Sequence, residues 1–270
     1  MKLEGNVAIV TGGARGMGRS HCLALAKEGA DIVTCDISEK NCSTNSPPIE
    51  RNRQLDRTVI EVKSLGRKCF GKIADISRED QVKALVEKTV EEFGRVDILV
   101  NNAAVDFLYG PCQEVSEEDW NIMMDVNLKG PWLCCKHVIP YMIREGKGKI
   151  INISSVCGLS GLANTVPYSC SKHGVIGLTR SLAAELAPNK INVNAVCPGP
   201  VDTPMLAESC ELAGITKKEI EEASIFPTLF GRVWRPEDIS NAVVWLASEE
   251  SCFLTGHAIP ADGGWIGPLP

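Results

Sequence analysis

The chain has 270 residues, of which 44% are hydrophobic and 23% charged, as is typical of a globular protein that buries a full core. Its formal net charge of −6 argues against a nucleic-acid partner, because general nucleic-acid binders need a basic surface. No apolar run approaches the roughly 20 residues of a membrane span, and the first residues lead directly into a predicted strand. We therefore expect a cytoplasmic protein without a membrane partner or a signal peptide.

The first predicted elements are a strand over residues 6–11, a glycine-rich turn and a helix over residues 20–29. The turn reads Gly12-Gly-Ala-Arg-Gly-Met-Gly18. Glycines let the backbone bend sharply and approach a pyrophosphate, whose charge the helix N-terminus stabilises. The glycine spacing differs from that of the commonest dinucleotide fingerprint. A nucleoside-triphosphate loop is disfavoured, because Arg19 stands where that motif requires a lysine.

The second predicted strand covers residues 30–37 and contains Asp36 at its end. An acidic residue about 20 positions beyond the glycine turn can accept hydrogen bonds from the adenosine ribose hydroxyls. Its charge would repel a 2′-phosphate, which favours NAD over NADP, although Arg15 could partly offset this preference. A polar insertion over residues 38–53 follows. It could lengthen the adenosine wall of the site, or it could be a tolerated surface loop.

The remaining predicted elements alternate in type along the chain. Helices are predicted over residues 54–65, 77–93, 116–144, 167–186 and 236–247, and strands over residues 68–74, 96–100, 149–153, 191–196 and 258–260. Ser77 is the expected N-cap of the second of these helices and Ser116 opens the third, which Pro131 and Pro140 should kink or break. Residues 201–234 should be irregular or locally helical. The alternation predicts a single domain over residues 1–270, with one Rossmann-type, doubly wound parallel α/β sheet covered by helices on both faces.

One helix carries a pair of residues that indicates acid–base chemistry. Tyr168 and Lys172 are four residues apart and therefore project from the same helix face. A neighbouring ammonium lowers the pKa of a phenol and lets it act as a general acid or base near neutral pH. Ser155 follows a predicted strand and could orient a substrate oxygen. Alone, the pair would be better explained as two surface residues.

The positions of other residues favour the catalytic interpretation. Ligands of doubly wound sheets bind outside the carboxyl ends of the strands. The residues that fall at such ends are Gly12, Asp36, Asp75, Asn101, Ser155 and Pro198. By contrast, none of the twelve cysteines has Cys-x-x-Cys spacing, and the four histidines show no ligand spacing. We therefore predict reduced buried thiols, structural histidines and no bound metal.

The motifs together resemble the short-chain dehydrogenase/reductase family, in order and over nearly the whole chain. They are Thr11-Gly-Gly-Ala-Arg-Gly-Met-Gly18, Asn101-Asn-Ala103, Asn127, Ser155, Tyr168-x-x-x-Lys172 and Pro198-Gly199. The resemblance implies that Tyr168 is the general acid/base and that Lys172 lowers its pKa and binds the nicotinamide ribose. It also implies that Ser155 holds the substrate oxygen and that Asn127 positions a water in a proton relay.

The resemblance and the glycine turn also place a set of residues against the cofactor. They are Gly12, Arg15, Gly16, Met17, Gly18, Asp36, Ile37, Asp75, Ile76, Asn102, Ala103, Ala104, Tyr168, Lys172, Val201 and Thr203. Ala104 departs from the family, which usually has glycine there, and its methyl group would narrow the cofactor cleft slightly. The polar insertion resembles that of a family subset that acts on terpene alcohols such as carveol.

These features predict reversible hydride transfer between NAD and a hydrophobic secondary alcohol or ketone, such as a steroid or cyclic terpenoid. Apolar residues within 105–110, 156–167 and 205–230 should form the pocket walls, and residues 205–230 should act as a lid. Asp106 could meet a polar substrate group or be a solvated loop residue. The resemblance implies a homodimer or homotetramer formed through the helices that carry Asn127 and Tyr168. The apolar residues 265–270 could pack against a neighbouring subunit or be frayed.

Two other functions remain open on the sequence alone. A catalytically silent dinucleotide sensor could share the fold, but it would need none of Ser155, Tyr168 and Lys172. A sugar-nucleotide epimerase could use the same tyrosine and lysine, but such proteins usually have a larger C-terminal region than this chain supplies.

Overall fold

The structure, a computed structural model, describes residues 1–37, 51–106, 110–214, 229–230 and 232–265. Several predictions fall outside the described residues. These are most of the polar insertion, residues 107–109 of the first pocket wall, most of the proposed lid and the end of the C-terminal segment. They stay predictions.

Seven strands form one parallel sheet. The strands are β1 (Val7–Thr11), β2 (Asp31–Asp36), β3 (Cys69–Ile73), β4 (Ile98–Asn101), β5 (Gly148–Ile153), β6 (Ile191–Pro198) and β7 (Ala258–Ala261). Their order is β3-β2-β1-β4-β5-β6-β7, and every neighbouring pair is parallel. The order reverses between β1 and β4, which opens a crevice at the carboxyl ends of these two strands.

Eight α-helices connect these strands within the described part of the chain. They are α1 (Gly16–Lys27), α2 (Arg51–Ser64), α3 (Glu79–Phe93), α4 (Glu117–Met124), α5 (Gly130–Glu145), α6 (Val166–Leu186), α7 (Pro204–Ala213) and α8 (Pro236–Ala247). None of these helices has the length and apolar character needed to cross a membrane.

The core lies on both faces of the sheet. Ala8 and Val10 of β1 pack into a cluster with residues of α1 and α8. Ile9, between them, points to the other face and joins a cluster with residues of α3, α5 and α6. Strand β1 is buried on both faces, and its sequence is accordingly apolar up to Thr11. The predicted doubly wound α/β fold is confirmed.

The starts of α1 and α3 differ from the predictions, whereas the start of α4 after Ser116 is confirmed. Helix α1 begins at Gly16 rather than at residue 20, because the glycine turn runs directly into the helix. Ser77 is not an N-cap. Helix α3 begins at Glu79 after Arg78, and the Ser77 hydroxyl donates instead to Asp75 Oδ1 at 2.7 Å. Ser116 is the predicted cap of α4, since its side chain accepts a hydrogen bond from the Asp119 N–H at 3.0 Å.

The long helix is interrupted by a π-helical turn rather than broken at a proline. Residues Asp125–Lys129 form this turn between α4 and α5. Pro131 lies in the first turn of α5, directly after the π-helical turn, and Pro140 lies inside α5. The turn contains Asn127, which was predicted to be part of the site.

Candidate active site

The glycine turn after β1 is too crowded for other residues. Gly12 and Gly16 have φ angles of +71° and +54°, which L-residues with side chains rarely adopt. A Cβ atom on Gly12 would lie 2.8 Å from Ala103 Cα, and one on Gly18 would lie 2.0 Å from the Gly12 carbonyl oxygen. The turn therefore presents bare backbone at the N-terminus of α1, where a pyrophosphate can approach closely.

A polar contact joins this turn to the loop after β4. Thr11 Oγ1 accepts hydrogen bonds from the backbone N–H groups of Asn102 and Ala103, each at 3.0 Å. The Asn102 side chain donates back to the Thr11 carbonyl at 2.9 Å and to the Gly12 carbonyl at 3.3 Å. The two strand ends on either side of the crevice are thus held together by side chains of the recognised motifs.

Two carboxylates follow the neighbouring strands. Asp36 Oδ2 accepts a hydrogen bond from the Ala14 N–H of the glycine turn at 3.0 Å. Asp75 Oδ1 accepts from both the N–H and the hydroxyl of Ser77, at 2.9 and 2.7 Å. Ile76 is buried beside Gly130, where a Cβ would lie 2.6 Å from its Cδ1. These contacts fix the wall on the β2 and β3 side of the crevice.

A cavity of about 350 Å³ lies over the glycine turn. The predicted cofactor contacts that line it are Gly12, Arg15, Gly16, Met17, Gly18, Asp36, Ile37, Asp75, Ile76, Asn102, Ala103, Ala104, Tyr168, Lys172 and Thr203. Val201 does not line it, and its backbone pairs with Trp234. Ser155 and Asn127 lie outside the lining as well. Bare glycine backbone beside an acidic strand end fits a dinucleotide.

Helix α6 brings Tyr168 and Lys172 to the far end of the same cavity. The Lys172 side chain is buried, and its Nζ donates to the Ile153 carbonyl at the end of β5 at 3.0 Å. Nζ also lies 5.5 Å from the centre of the Tyr168 ring. Burial lowers the pKa of Lys172 to about 8, and the negative charge of Asp106 partly opposes this shift. A lysine with this pKa is still cationic at neutral pH.

The two serines after β5 have different partners. Ser155 Oγ accepts a hydrogen bond from the Cys157 N–H at 3.1 Å, so its own proton can be donated to another group. Ser154 lines the cavity, but its hydroxyl donates to the Lys172 carbonyl at 2.9 Å. Ser154 thus fastens α6 to β5. Ser155 is the serine whose hydroxyl proton this geometry leaves for a ligand.

The Asn127 side chain is occupied by the loop after β4. Its Oδ1 accepts from the Val105 N–H at 2.8 Å, and its Nδ2 donates to the Val105 carbonyl at 2.9 Å and contacts Met123 Sδ at 3.0 Å. A further contact, at 3.3 Å, reaches Ser171 on α6. If Asn127 positions a water, it would therefore have to use its backbone rather than its side chain. π-Helical turns such as the one that contains Asn127 are frequent at functional sites.

Two acidic residues of the cavity were missed or left open by the sequence analysis. Glu208 on α7 binds Arg15 through both carboxylate oxygens, with Nη1–Oε1 at 2.5 Å and Nη2–Oε2 at 3.0 Å. The two residues are 193 positions apart, and no local pattern links them. Asp106 lines the cavity, and the neighbouring Ser209 hydroxyl contacts its carbonyl oxygen at 3.4 Å. Helix α7 therefore touches both the glycine turn and the loop after β4.

Comparisons with known proteins extend over nearly the whole chain. A family model described as enoyl-(acyl carrier protein) reductase matches residues 12–266. A 3-oxoacyl-[acyl-carrier-protein] reductase of Thermotoga maritima is 39% identical over 268 residues, which cover 98% of this chain and 100% of that protein. A (−)-trans-carveol dehydrogenase of Rhodococcus erythropolis is 38% identical over 272 residues, 97% of this chain and 98% of that one.

A solved structure also matches nearly the whole chain. The carveol dehydrogenase of Mycobacterium avium, crystallised in complex with NAD, matches with a TM-score of 0.93 and 36% identity. The match covers 98% of this chain and 99% of that one. The similarity is therefore not confined to the glycine turn, and it includes the elements that carry Tyr168 and Lys172.

Proposed function

Because the chain belongs to the short-chain dehydrogenase/reductase family of oxidoreductases, we propose that it transfers a hydride reversibly between NAD and a hydrophobic secondary alcohol or ketone. One observation carries this proposal: Tyr168 and the buried Lys172 share a cavity with the glycine turn and Asp36. A phenol and an ammonium group thus lie beside a surface that fits a dinucleotide.

The cofactor would be held by the residues that line the cavity and by their neighbours. Residues 12–18 would bind the pyrophosphate, Asp36 the adenosine ribose, and Asp75 and Ile76 the adenine. Asn102, Ala103 and Ala104 would line the middle of the site, and Lys172, Val201 and Thr203 the nicotinamide end. When bound, the nicotinamide ring supplies or accepts the hydride. NAD is preferred over NADP because Asp36 repels a 2′-phosphate, and the related carveol dehydrogenase structure contains NAD.

The proton of the reaction would move through the side chains of α6. During oxidation the Tyr168 phenol oxygen takes the proton from the substrate hydroxyl, and during reduction it returns it. Lys172, whose Nζ is 5.5 Å from the Tyr168 ring, favours the ionised phenol through its positive charge. Ser155 donates a hydrogen bond to the substrate oxygen. General acid–base catalysis of this kind typically contributes about 10²–10⁴-fold to the rate.

The substrate class is inferred from the apolar side of the cavity. Ile122, Val126, Ile153 and Met205 contribute apolar side chains to its lining. This lining fits a cyclic terpenoid or steroid alcohol, and the carveol dehydrogenase relatives act on a molecule of that kind. The 3-oxoacyl-[acyl-carrier-protein] reductase relative makes a 3-oxoacyl thioester the second candidate substrate class.

A substrate panel tests the proposal. Secondary alcohols of the cyclic terpenoid and steroid classes are offered with NAD and with NADP, and a 3-oxoacyl thioester with each reduced cofactor, while reduced nicotinamide is followed by its absorbance. We expect NAD-dependent oxidation of at least one cyclic alcohol. Turnover of the thioester alone would assign the second substrate class. Firm NAD binding without any turnover would instead indicate a dinucleotide sensor.

We also propose a homodimer or homotetramer that works in the cytoplasm. Trp132 and Ile143 are 44% and 42% exposed, and they lie about three turns apart on the same side of α5. Large apolar side chains repeated along one helix face support a subunit contact there. Buried free thiols such as Cys134 and Cys135 fit a reducing compartment.

A further inference from the structure

The Arg15–Glu208 ion pair joins the glycine turn to α7. Arg15 precedes the first residue of α1, and Glu208 lies in the middle of α7. Both guanidinium–carboxylate contacts are within hydrogen-bond distance, and the two side chains are only 17% and 19% exposed. A two-contact arginine–carboxylate pair with this degree of burial is well oriented and weakly screened. Both residues line the cavity.

The position of α7 does not depend on this ion pair alone. Thr203 caps the helix by accepting from the Leu206 N–H at 3.3 Å, and its side chain lies 3.4 Å from where a Gly16 Cβ would be. The Ser209 side chain is buried and contacts Asp106. Glu208 is therefore presented to Arg15 by a helix that is fixed on both sides of it.

The pair changes the charge that the glycine turn offers to a dinucleotide. Arg15 is the single basic residue of the sequence Thr11-Gly-Gly-Ala-Arg-Gly-Met-Gly18. Alone, it would attract the 2′-phosphate of NADP and offset the repulsion from Asp36. With Glu208 bound to it, the charges of Arg15, Asp36 and Glu208 add up to +1 − 1 − 1 = −1. A 2′-phosphate then meets net repulsion, whereas the uncharged 2′-hydroxyl of NAD does not.

We propose that Glu208 is a specificity-determining residue that discriminates against NADP by neutralising Arg15 through direct contact. Asp36 acts directly at the ribose, and Glu208 acts through Arg15 from a different part of the chain. The inference rests on the proposed dinucleotide-dependent function. It goes beyond that function in naming a residue of the substrate-side helix as a determinant of cofactor choice.

The test is the binding of NAD and NADP, measured by calorimetry without any alcohol present. Glu208→Gln keeps the size and hydrogen-bonding shape of the side chain but removes its charge. We expect the ratio of the NADP to the NAD dissociation constant to fall about tenfold, since one charge near a phosphate in a partly screened site is worth about that factor. Glu211→Gln, at an exposed position on the same helix, is the matched control and should leave the ratio within about twofold.

A second background isolates the path through Arg15. In an Arg15→Met protein, Glu208→Gln should lower the ratio clearly less than it does in the wild-type background, because no cation is left to release and only the direct repulsion by the Glu208 carboxylate is lost. The proposal is wrong if Glu208→Gln leaves the ratio unchanged, or if the affinities for NAD and NADP fall in parallel, which would mean that Glu208 only helps to place α7. If the ratio of dissociation constants falls as expected but the protein oxidises no alcohol, the proposed function is contradicted and this inference still holds. Binding of neither dinucleotide by the wild-type protein would contradict both.

Discussion

Lys172 shows how a single residue of the site departs from ordinary solution behaviour. Its ammonium is buried beneath the end of β5, and its hydrogen bond to the Ile153 carbonyl does not replace the lost hydration. Burial therefore lowers its pKa from the usual 10.5 to about 8. Burying this ammonium costs free energy of folding. Such costs are common in active sites, where function limits stability.

This shift has a consequence for the pH dependence of stability. Between about pH 8 and 10.5 the unfolded chain binds a proton at Lys172 that the folded chain has released, so the free energy of unfolding rises with pH. The buried charge of Lys172 lowers the free energy of unfolding by its full amount below pH 8, and this loss disappears towards pH 10.5. We predict that the free energy of unfolding of the wild-type protein, minus that of Lys172→Met, increases across this window.

Denaturant unfolding of both proteins at about pH 7 and about pH 10 measures the difference. Lys27→Met, at an exposed position, serves as the control for removing a lysine charge at the surface. A difference that is constant or falls with pH would show that the buried lysine does not titrate as described.

The sequence was enough to propose several residues of the site, but not the contacts that side chains make with distant parts of the chain. Asp36 and the Tyr168–Lys172 pair could be proposed from the sequence, because each carries its chemistry in its spacing from a local motif. Glu208 could not be found in this way, because its partner is 193 positions away and its own helix lies in a stretch without clear periodicity. The partners of Ser154 and Ser155 were equally hidden, since two adjacent serines look alike until the backbone turns them in different directions.

At the scale of elements, the π-helical turn Asp125–Lys129 determines where the loop after β4 lies. Asn127 reaches from this turn to both backbone polar groups of Val105. We predict that Asn127→Ala lowers the free energy of unfolding by about 1–3 kcal/mol, because these backbone groups lose their partner. It should also reduce turnover, since the loop lines the cavity. Unfolding and initial rates measured on one preparation test this, with Asn121→Ala at an exposed position of α4 as the control.

An Asn127→Ala protein with wild-type stability and rate would contradict this role.

The π-helical turn itself was not predicted, because prolines at 131 and 140 suggested a break at those residues. The structure accommodates Pro131 in the first turn of α5, directly after the π-helical turn. Ser77 is not the cap because α3 begins two residues later, at Glu79, and the Ser77 N–H and hydroxyl donate to Asp75 Oδ1 in a turn that precedes the helix.

At the scale of the whole molecule, the parallel, doubly wound sheet followed from the alternation of elements, whereas the order of its strands was not predicted. Every strand of the sheet was anticipated within two residues at each end, because most of them are short, buried, apolar runs that alternate with helical patterns. The extent of the domain stays a prediction, as does the role of residues 38–50.

The exposed apolar residues of α5 allow the proposed association of subunits to be tested. We predict that sedimentation velocity finds two or four chains per particle, and that Trp132→Glu shifts the mass towards one chain. Burying a new carboxylate in a subunit contact is strongly unfavourable. Ile60→Glu, at an exposed position of α2, should leave the mass unchanged. A wild-type protein that sediments as one chain at micromolar concentration would contradict the proposed assembly.

The account depends most on the phenol oxygen of Tyr168. Tyr168→Phe removes that atom and keeps the ring, so the cavity and the glycine turn stay as they are. We predict that the variant loses alcohol oxidation by about 10²–10⁴-fold, while calorimetry finds its dissociation constant for NAD within about twofold of the wild-type value. A phenylalanine variant that oxidises the alcohol at the wild-type rate would contradict the central claim.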